Sequence, residues 1–357
     1  MATWTTAVVA GLAARDGVDV RLLDTAVRWR SVTDLSAVRR IVGGAVQGLR
    51  DNARVAAAIG EYGPDVVHIA TSAGFGVFRD KLMATGARRR GTPVVMHYHF
   101  GRIPALAASG GWEWRTLCAG ARQAALQLAL DRPSADALQR AIGMPTVRVQ
   151  PNMVDAPALG RLADATEAPA QGDRLRIVFV GHAIVSKGVA DLVSACASPA
   201  CPDVELRVVG PCEAAYEPEL RRIDAQPNGG GWLTLCGRLP HAEALAAMAS
   251  AHVVALPSSS EGFPNVVVEA MALGRCVLAT PVGAIPEMLA DGACGVLTPL
   301  GDVGALARAI ASLDTDRTRL AALGSAARLR AATCYDGPQV LDRLVELWRE
   351  AAATRCT

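Results

Sequence analysis

The chain reads as an α/β protein built from two doubly wound, Rossmann-like parallel-sheet domains that face each other across a cleft. Three observations carry that reading. Its 357 residues exceed what one hydrophobic core supports. Short apolar runs alternate with helical stretches in both halves. Between the halves, residues 155–172 are rich in Ala, Pro, Asp and Glu with no sustained period, as an interdomain linker would be. A hydrophobic share of 51% with 20% charged residues is a globular composition. A formal charge of +2, and no basic run longer than Arg88-Arg89-Arg90, give no case for nucleic acid. Nine cysteines without a Cys-x-x-Cys pair, mostly in apolar surroundings, suit small buried side chains in a reducing compartment. There is no apolar run of about 18 residues and no basic-then-apolar leader. We therefore expect a cytoplasmic protein whose membrane contact, if it has any, is peripheral at the inner face.

The first half opens on a helical pattern over residues 3–14, which closes at Asp16-Gly17 and is followed by a strand pattern over 18–23. A long helical pattern covers 35–58. A strand at 66–70, a Gly-rich loop at 71–76, a helix at 78–90 and a strand at 94–98 come next. After His97-Tyr98-His99-Phe100-Gly101 the pattern loosens over 102–114, then resumes as a helix at 116–125, a strand at 126–130, a helix at 134–142 and a strand at 146–150. His97 and His99 sit at a strand end, and we expect them to face opposite sides. In the second half the alternation is more regular. Strands are expected at 175–181, 204–210, 233–236, 253–256, 276–280 and 295–298, with helices at 189–197, 218–225, 242–249 and 266–272. The tail at 303–329 and 340–349 is helical. These patterns divide the chain into residues 1–155, a linker at 156–173, a second domain at 174–335, and a last helix within 336–357 that we expect to pack back on the first domain.

The most informative stretch follows the strand at 253–256. Pro264 fits a first helical turn, Gly274 fits a helix stop, and Glu261 and Glu269 bracket the turn between strand and helix. A loop ending at a helix N-terminus presents free N–H groups, here those of Gly262, Phe263 and Asn265, which suit a phosphate or polyhydroxyl ligand. Carboxylates there suit hydroxyl groups, which they accept in pairs. Lys187, in Val178-Phe-Val-Gly-His-Ala-Ile-Val-Ser-Lys-Gly188, lies just before a helix. It could neutralise a diphosphate leaving group or simply be a surface lysine. The acidic loop favours the first. No His/Asp/Glu cluster has metal-ligand spacing, so no bound cation is expected.

Taken together, the 181–188 loop, Pro257-Ser-Ser-Ser-Glu-Gly-Phe-Pro-Asn-Val-Val-Val-Glu-Ala-Met-Ala and Gln150-Pro-Asn-Met-Val-Asp155 resemble the retaining glycosyltransferases of family 4, which have the GT-B fold. The similarity is strongest over about 175–300. The resemblance implies transfer of a hexose from a nucleotide diphosphate sugar to a hydroxyl acceptor, a glycan or lipid-linked glycan, with retention. It implies no metal and no cofactor. By it Glu269 binds the ribose hydroxyls, Glu261 sits by the transferred sugar, and the loop Gly262, Phe263, Pro264 and Asn265 holds the sugar and phosphates through the N–H groups of Gly262, Phe263 and Asn265. Gly181, His182 and Lys187 serve the diphosphate, Gly237, Arg238 and Leu239 lie against the base, and His99 approaches the anomeric carbon with His97 as its structural partner.

Two departures from the family pattern stand out. Family members carry an Arg where His182 stands, so donor use should vary with pH if a protonated His182 replaces it. Family members also begin with a strand and a Gly-rich turn, and Met1 lies where that turn belongs. We expect the first strand of the N-terminal domain to be missing and the chain to be truncated there. Phe78-Arg79-Asp80 resembles members that build bacterial surface polysaccharides. Trp112, Trp114, Arg102 and Arg115 would suit a membrane surface, although packing is the plainer role for aromatics in such a loop. The rival readings are a nucleotide-sugar epimerase of the same shape and a truncated, non-catalytic nucleotide-binding protein.

Overall fold

The computed structural model describes residues 2–13, 15–25, 37–71, 73–167, 172–224 and 231–356. The chain divides into two compact units, Met1–Pro151 with Val340–Thr357, and Asn152–Gln339. The first unit runs α1 (Ala2–Leu12), α2 (Ala37–Tyr62), β1 (Val67–Thr71), α3 (Gly76–Arg88), β2 (Val94–Tyr98), α4 (Ile103–Ser109), α5 (Trp112–Ala121), β3 (Leu126–Ala129), α6 (Arg132–Ile142) and β4 (Val147–Val149). Its strands are parallel in the order β1-β2-β3-β4 among the described residues. Every residue of β2 and β3 is buried, as helices on both faces require.

Residues 18–23, expected as a strand, form none. Leu22 is 57% exposed, and Arg21 lies 4.1 Å over the Tyr62 ring. A lone extended segment leaves its backbone groups to water unless a neighbouring strand pairs with them, and none among the described residues does. The loose stretch at 102–114 resolves into α4 and the start of α5. Gly110 closes α4 in the left-handed region at φ 60°, and Pro104 sits in its first turn. Seven residues are too few for a helical period to stand out. Residues 35 and 36 of the long helical pattern, Ala14 of the first helix and Ser72 of the Gly-rich loop lie outside the described residues.

The second unit runs α7 (Ala156–Ala165), β5 (Leu175–Val180), α8 (Val189–Cys196), β6 (Val204–Val209), α9 (Glu217–Asp224), β7 (Leu233–Gly237), α10 (His241–Ala249), β8 (Val253–Leu256), α11 (Asn265–Ala272), β9 (Cys276–Ala279), α12 (Ile285–Met288), β10 (Val296–Leu297), α13 (Val303–Thr315) and α14 (Arg317–Cys334). All six strands are parallel, in the order β10-β9-β8-β5-β6-β7. The segment expected as a linker is helical over α7. Asp155 caps it, accepting from Ala158 N at 2.8 Å, and Ala156, Leu159, Gly160 and Ala163 form its buried side. That side is carried mostly by alanine and glycine, so hydrophobic contrast along the sequence is weak. Residues 168–171 of the expected linker lie outside the described residues. The helical tail expected at 303–329 forms α13 and α14, which meet at Asp316, whose carboxylate accepts from Arg319 N at 2.8 Å and starts α14.

The last helix, α15 (Gly337–Ala353), belongs mostly to the first unit. Gln150 Nε2 donates to Val340 O at 2.9 Å, Trp348 Nε1 donates to His68 Nδ1 at 2.8 Å, and Arg15 pairs with Asp342. Among the described cysteines Cys118, Cys196, Cys276 and Cys294 are buried, Cys201, Cys212 and Cys236 are half-buried and Cys334 is exposed, all as free thiols. No helix among the described residues is long and apolar enough to cross a membrane.

Candidate active site

The strand order of the second unit locates its site. From β5 the chain winds one way through β6 and β7, then returns to place β8 on the other side of β5 and winds on through β9 and β10. The β5/β8 border is therefore the topological switch point, and the ligand crevice of such sheets lies there, beyond the C-terminal ends of the two strands. The β5 loop carries Gly181, His182 and Lys187, and the β8 loop carries Glu261.

Backbone approach fixes the two loops against each other. Ser259 donates through both N, at 2.9 Å, and Oγ, at 3.1 Å, to Ser186 O. Gly188, at φ 67°, closes the single 3₁₀ turn that carries Lys187. A side chain at Gly188 would bring its Cβ within 2.9 Å of the Pro257 carbonyl carbon and closer still to the oxygen, so only glycine lets the loops touch. Gly283 does the same from the loop after β9. A Cβ there would meet Gly262 O at 2.6 Å, while Ala284 N donates to that oxygen at 2.9 Å.

On this frame the charged side chains pair. Lys187 Nζ donates to Glu261 Oε1 at 2.6 Å, with side-chain exposures of 26% and 9%. Glu269, one turn into α11 and 18% exposed, accepts from His241 Nε2 at 3.0 Å. Pro264 lies one residue outside the helix as its N-cap, with ψ 109°, so the free N–H groups of the first turn begin at Asn265. Asn265 Oδ1 accepts from Asn152 Nδ2 at 3.0 Å. Phe263 is buried edge-on against Tyr335, with ring centroids 5.7 Å apart. His182 and Arg238 are exposed, Leu239 is half-buried, and Gly237 ends β7 with φ 65°. The sequence-derived residues of the β5 and β8 loops thus come together, with Glu269 on the helix that follows.

His241 was not singled out from sequence, yet it touches one of the two acids. The available signal was its position, opening α10 directly after Gly237-Arg238-Leu239-Pro240. Among the described residues, no group of three or more His, Cys, Asp or Glu side chains is placed to hold a metal ion.

His99 belongs to the first unit, just past β2, where its N–H donates to Thr71 O at 3.1 Å. The expectation that His97 and His99 face opposite sides is wrong. Strand side chains alternate with period two, so residues two apart share a face, and the two rings lie 4.0 Å apart. Trp4 packs on both, at 4.9 and 4.5 Å, and on His68 at 5.6 Å. Burial drives the His97 imidazolium well below its ordinary range, with His99 and His68 adding repulsion, and burial pushes His68 down to about 4. Of the residues suggested for a membrane surface, Trp112 and Arg115 are exposed. Trp114 packs against the core, and Arg102 is tied to Glu113 at 3.0 Å.

Two Rossmann-like units with a charged crevice at a switch point define a GT-B protein. Residues 1–156 match the family described as Glycosyltransferase Family 4, and residues 174–316 match that described as Glycosyl transferases group 1. The chain belongs to the family 4 glycosyltransferases. It is 33% identical over 189 residues to the MMP alpha-(1->4)-mannosyltransferase of Mycolicibacterium hassiacum, covering 50% of this chain and 44% of that protein. It is 32% identical over 226 residues to the phosphatidyl-myo-inositol mannosyltransferase of Mycobacterium tuberculosis, covering 60% and 56%. The chain thus spans about half the length of the curated relatives it matches. The fold resembles that of HepE from Anabaena in complex with UDP, at a TM-score of 0.69 and 22% identity over 85% of this chain and 83% of that one. Sucrose-phosphate synthase from Thermosynechococcus elongatus gives a TM-score of 0.69 at 20% identity, covering 92% and 82%.

Proposed function

We propose that the chain is a retaining, metal-independent hexosyltransferase of glycan biosynthesis that uses a nucleotide diphosphate sugar and a glycan or lipid-linked glycan acceptor. The observation that carries this reading is the Lys187–Glu261 pair at the β5/β8 switch point, beside the free N–H groups that open α11. A diphosphate needs a cation and backbone donors, and a sugar needs a carboxylate to accept its hydroxyls. This crevice offers both within one contact.

In this reading the diphosphate takes Lys187 and the N–H groups of the β8 loop, with His182 in reach when protonated. Glu269 accepts the two ribose hydroxyls, and Gly237, Arg238 and Leu239 border the base. Glu261, freed from Lys187, holds the sugar, and His99 of the first unit serves the transfer. The bond from the anomeric carbon to the diphosphate oxygen breaks, the acceptor hydroxyl oxygen bonds to that carbon from the same side, and the hydroxyl proton passes to the diphosphate, which leaves as the product. Catalysis rests on holding the leaving charge and on orientation. Named relatives that are mannosyltransferases and a structural neighbour bound to UDP-glucose support a nucleotide-sugar donor.

Calorimetry with nucleoside diphosphates and their sugars, followed by product analysis for anomeric configuration, tests the proposal. Glu269→Ala should weaken the nucleotide by roughly tenfold or more, because a charged acceptor of two hydroxyl groups is lost. Unchanged affinity would remove the ribose assignment, and product formed without any acceptor would point to an epimerase.

A further inference from the structure

Helix α3 has two apolar sides. Val77, Met83, Ala84 and Ala87 face the core of the first unit, as an amphipathic helix requires. The outward side carries Phe78 and Leu82, and Phe75 stands just before the helix on the same side. All three are exposed, the two phenylalanines at 51% and 58%. Trp112, the first residue of α5, is 49% exposed and joins them. Its ring centroid lies 5.3 Å from that of Phe75 and 5.4 Å from that of Phe78, the latter at an interplanar angle of only 9°. Three stacked rings at half exposure present on the order of 300 Å² of aromatic surface, as large as the main apolar patch of a typical monomer.

The exposed charges that the two helices carry have one sign: Lys81 on α3 and Arg115 on α5 lie near the aromatic cluster, and Arg88 closes the far end of α3. The acids of the two helices are turned inward or consumed. Asp80 is fully buried, bonded to Arg79 and to Thr71 Oγ1. Glu113 accepts from Gly74 N and Arg102 Nη2. A stacked, outward-pointing aromatic cluster offers no groove to a peptide, and the indole already has a ring lying nearly parallel to it, which leaves it poorly placed to stack on a sugar. Aromatic rings that enter the headgroup layer, bordered by lysine and arginine that meet lipid phosphates, match one kind of partner.

We propose that the outer face of α3 and the N-terminal end of α5 dock on an anionic lipid bilayer, with Phe75, Phe78 and Trp112 inserted and Lys81 and Arg115 on the headgroups. This goes beyond the donor-site reading and stands without it, because vesicle binding is measured with no nucleotide present. The full chain is sedimented with vesicles of phosphatidylcholine alone and of phosphatidylcholine with phosphatidylglycerol. Two variants are compared, Phe75→Ser with Phe78→Ser and Trp112→Ser, and Lys81→Glu with Arg115→Glu. The wild type should bind the anionic vesicles and not the neutral ones, and added salt should weaken that binding. Each variant should lose at least about tenfold. Both should keep the wild-type circular dichroism and melting temperature, since every changed side chain is exposed. Wild-type chain that stays in the supernatant with anionic vesicles would overturn the proposal. So would folded variants that bind as the wild type does, or wild-type capture by a soluble acidic polymer but not by vesicles.

Discussion

Replacing Gly188 with alanine should be among the most damaging small changes this chain can suffer. Two costs add. At φ 67° an L-residue pays roughly 1–2 kcal/mol for the left-handed conformation. Its Cβ would also press into the Pro257 peptide, 2.9 Å from the carbonyl carbon, where the obstacle is backbone and has no rotamer to escape into. Overpacking of that kind costs about 1–3 kcal/mol more, for a total of about 2–5 kcal/mol. Gly301→Ala separates the two terms, because Gly301 lies in the same unit at φ 70° with nothing within 4 Å of the added Cβ. It should cost only the conformational part. Urea unfolding followed by hydrogen exchange in peptides of the second unit measures both variants. Gly188→Ala should also spread the β5 and β8 loops and weaken any nucleotide that bridges them. If the two variants destabilise the second unit equally, the claim that glycine is required for loop contact fails.

His241→Ala should weaken nucleoside diphosphate binding by several-fold if the imidazole orients Glu269, and the loss should vanish in a Glu269→Ala background. Additive losses by calorimetry would show that His241 acts elsewhere, and His241→Gln should restore part of the affinity through its own N–H donor. Acid should unfold the first unit preferentially. His68 titrates near 6.5 when unfolded and near 4 when folded, so its contribution is level above about pH 6.5. Below that pH the unfolded chain takes up a proton that the folded chain refuses, and stability falls until about pH 4, by about 3 kcal/mol for this residue. Protonation at Nδ1 would also break the bond from Trp348. His68→Gln, which keeps an acceptor for Trp348, should lessen the slope over that window in denaturation experiments at stepped pH and leave the part that His97 contributes. An unchanged slope would remove His68 as the cause.

The sequence is most legible where burial is symmetrical. The strands of the second unit are short, continuous apolar runs because helices cover both faces, and such runs stand out whatever their neighbours. Legibility falls where pairing or context decides. Residues 18–23 have the alternation of a strand, but a strand needs a partner, and the pattern of one segment says nothing of whether a partner is present. Residues 156–165 hide a helix because their buried side is made of alanine, glycine and one leucine, with Asp155 and Pro157 at its start as the local cues. His97 and His99 share a face by the same period of two that orders every strand, with their rings 4.0 Å apart.

The site shows the same division. Glu261, Glu269 and Lys187 could be named because carboxylates and a lysine are conspicuous beside a strand end and a helix start. Their partners could not, because pairing depends on strand order. Lys187 meets Glu261 because β8 returns beside β5, although 74 residues separate the two side chains in sequence. That adjacency changes what the proposed chemistry must do. The lysine proposed for the diphosphate is held by the acid proposed for the sugar, both largely shielded from water. A diphosphate brings more negative charge than one carboxylate and has the α11 N-terminus as a second anchor, so it can take the lysine over. In the proposed reading that exchange frees Glu261 Oε1 in addition to Oε2, so both oxygens can accept from the hydroxyls of one sugar. A nucleoside lacking phosphates cannot trigger that exchange. In the proposed reading it should therefore leave the Lys187–Glu261 pair intact, and free sugar should bind measurably better in the presence of nucleoside diphosphate than in the presence of nucleoside.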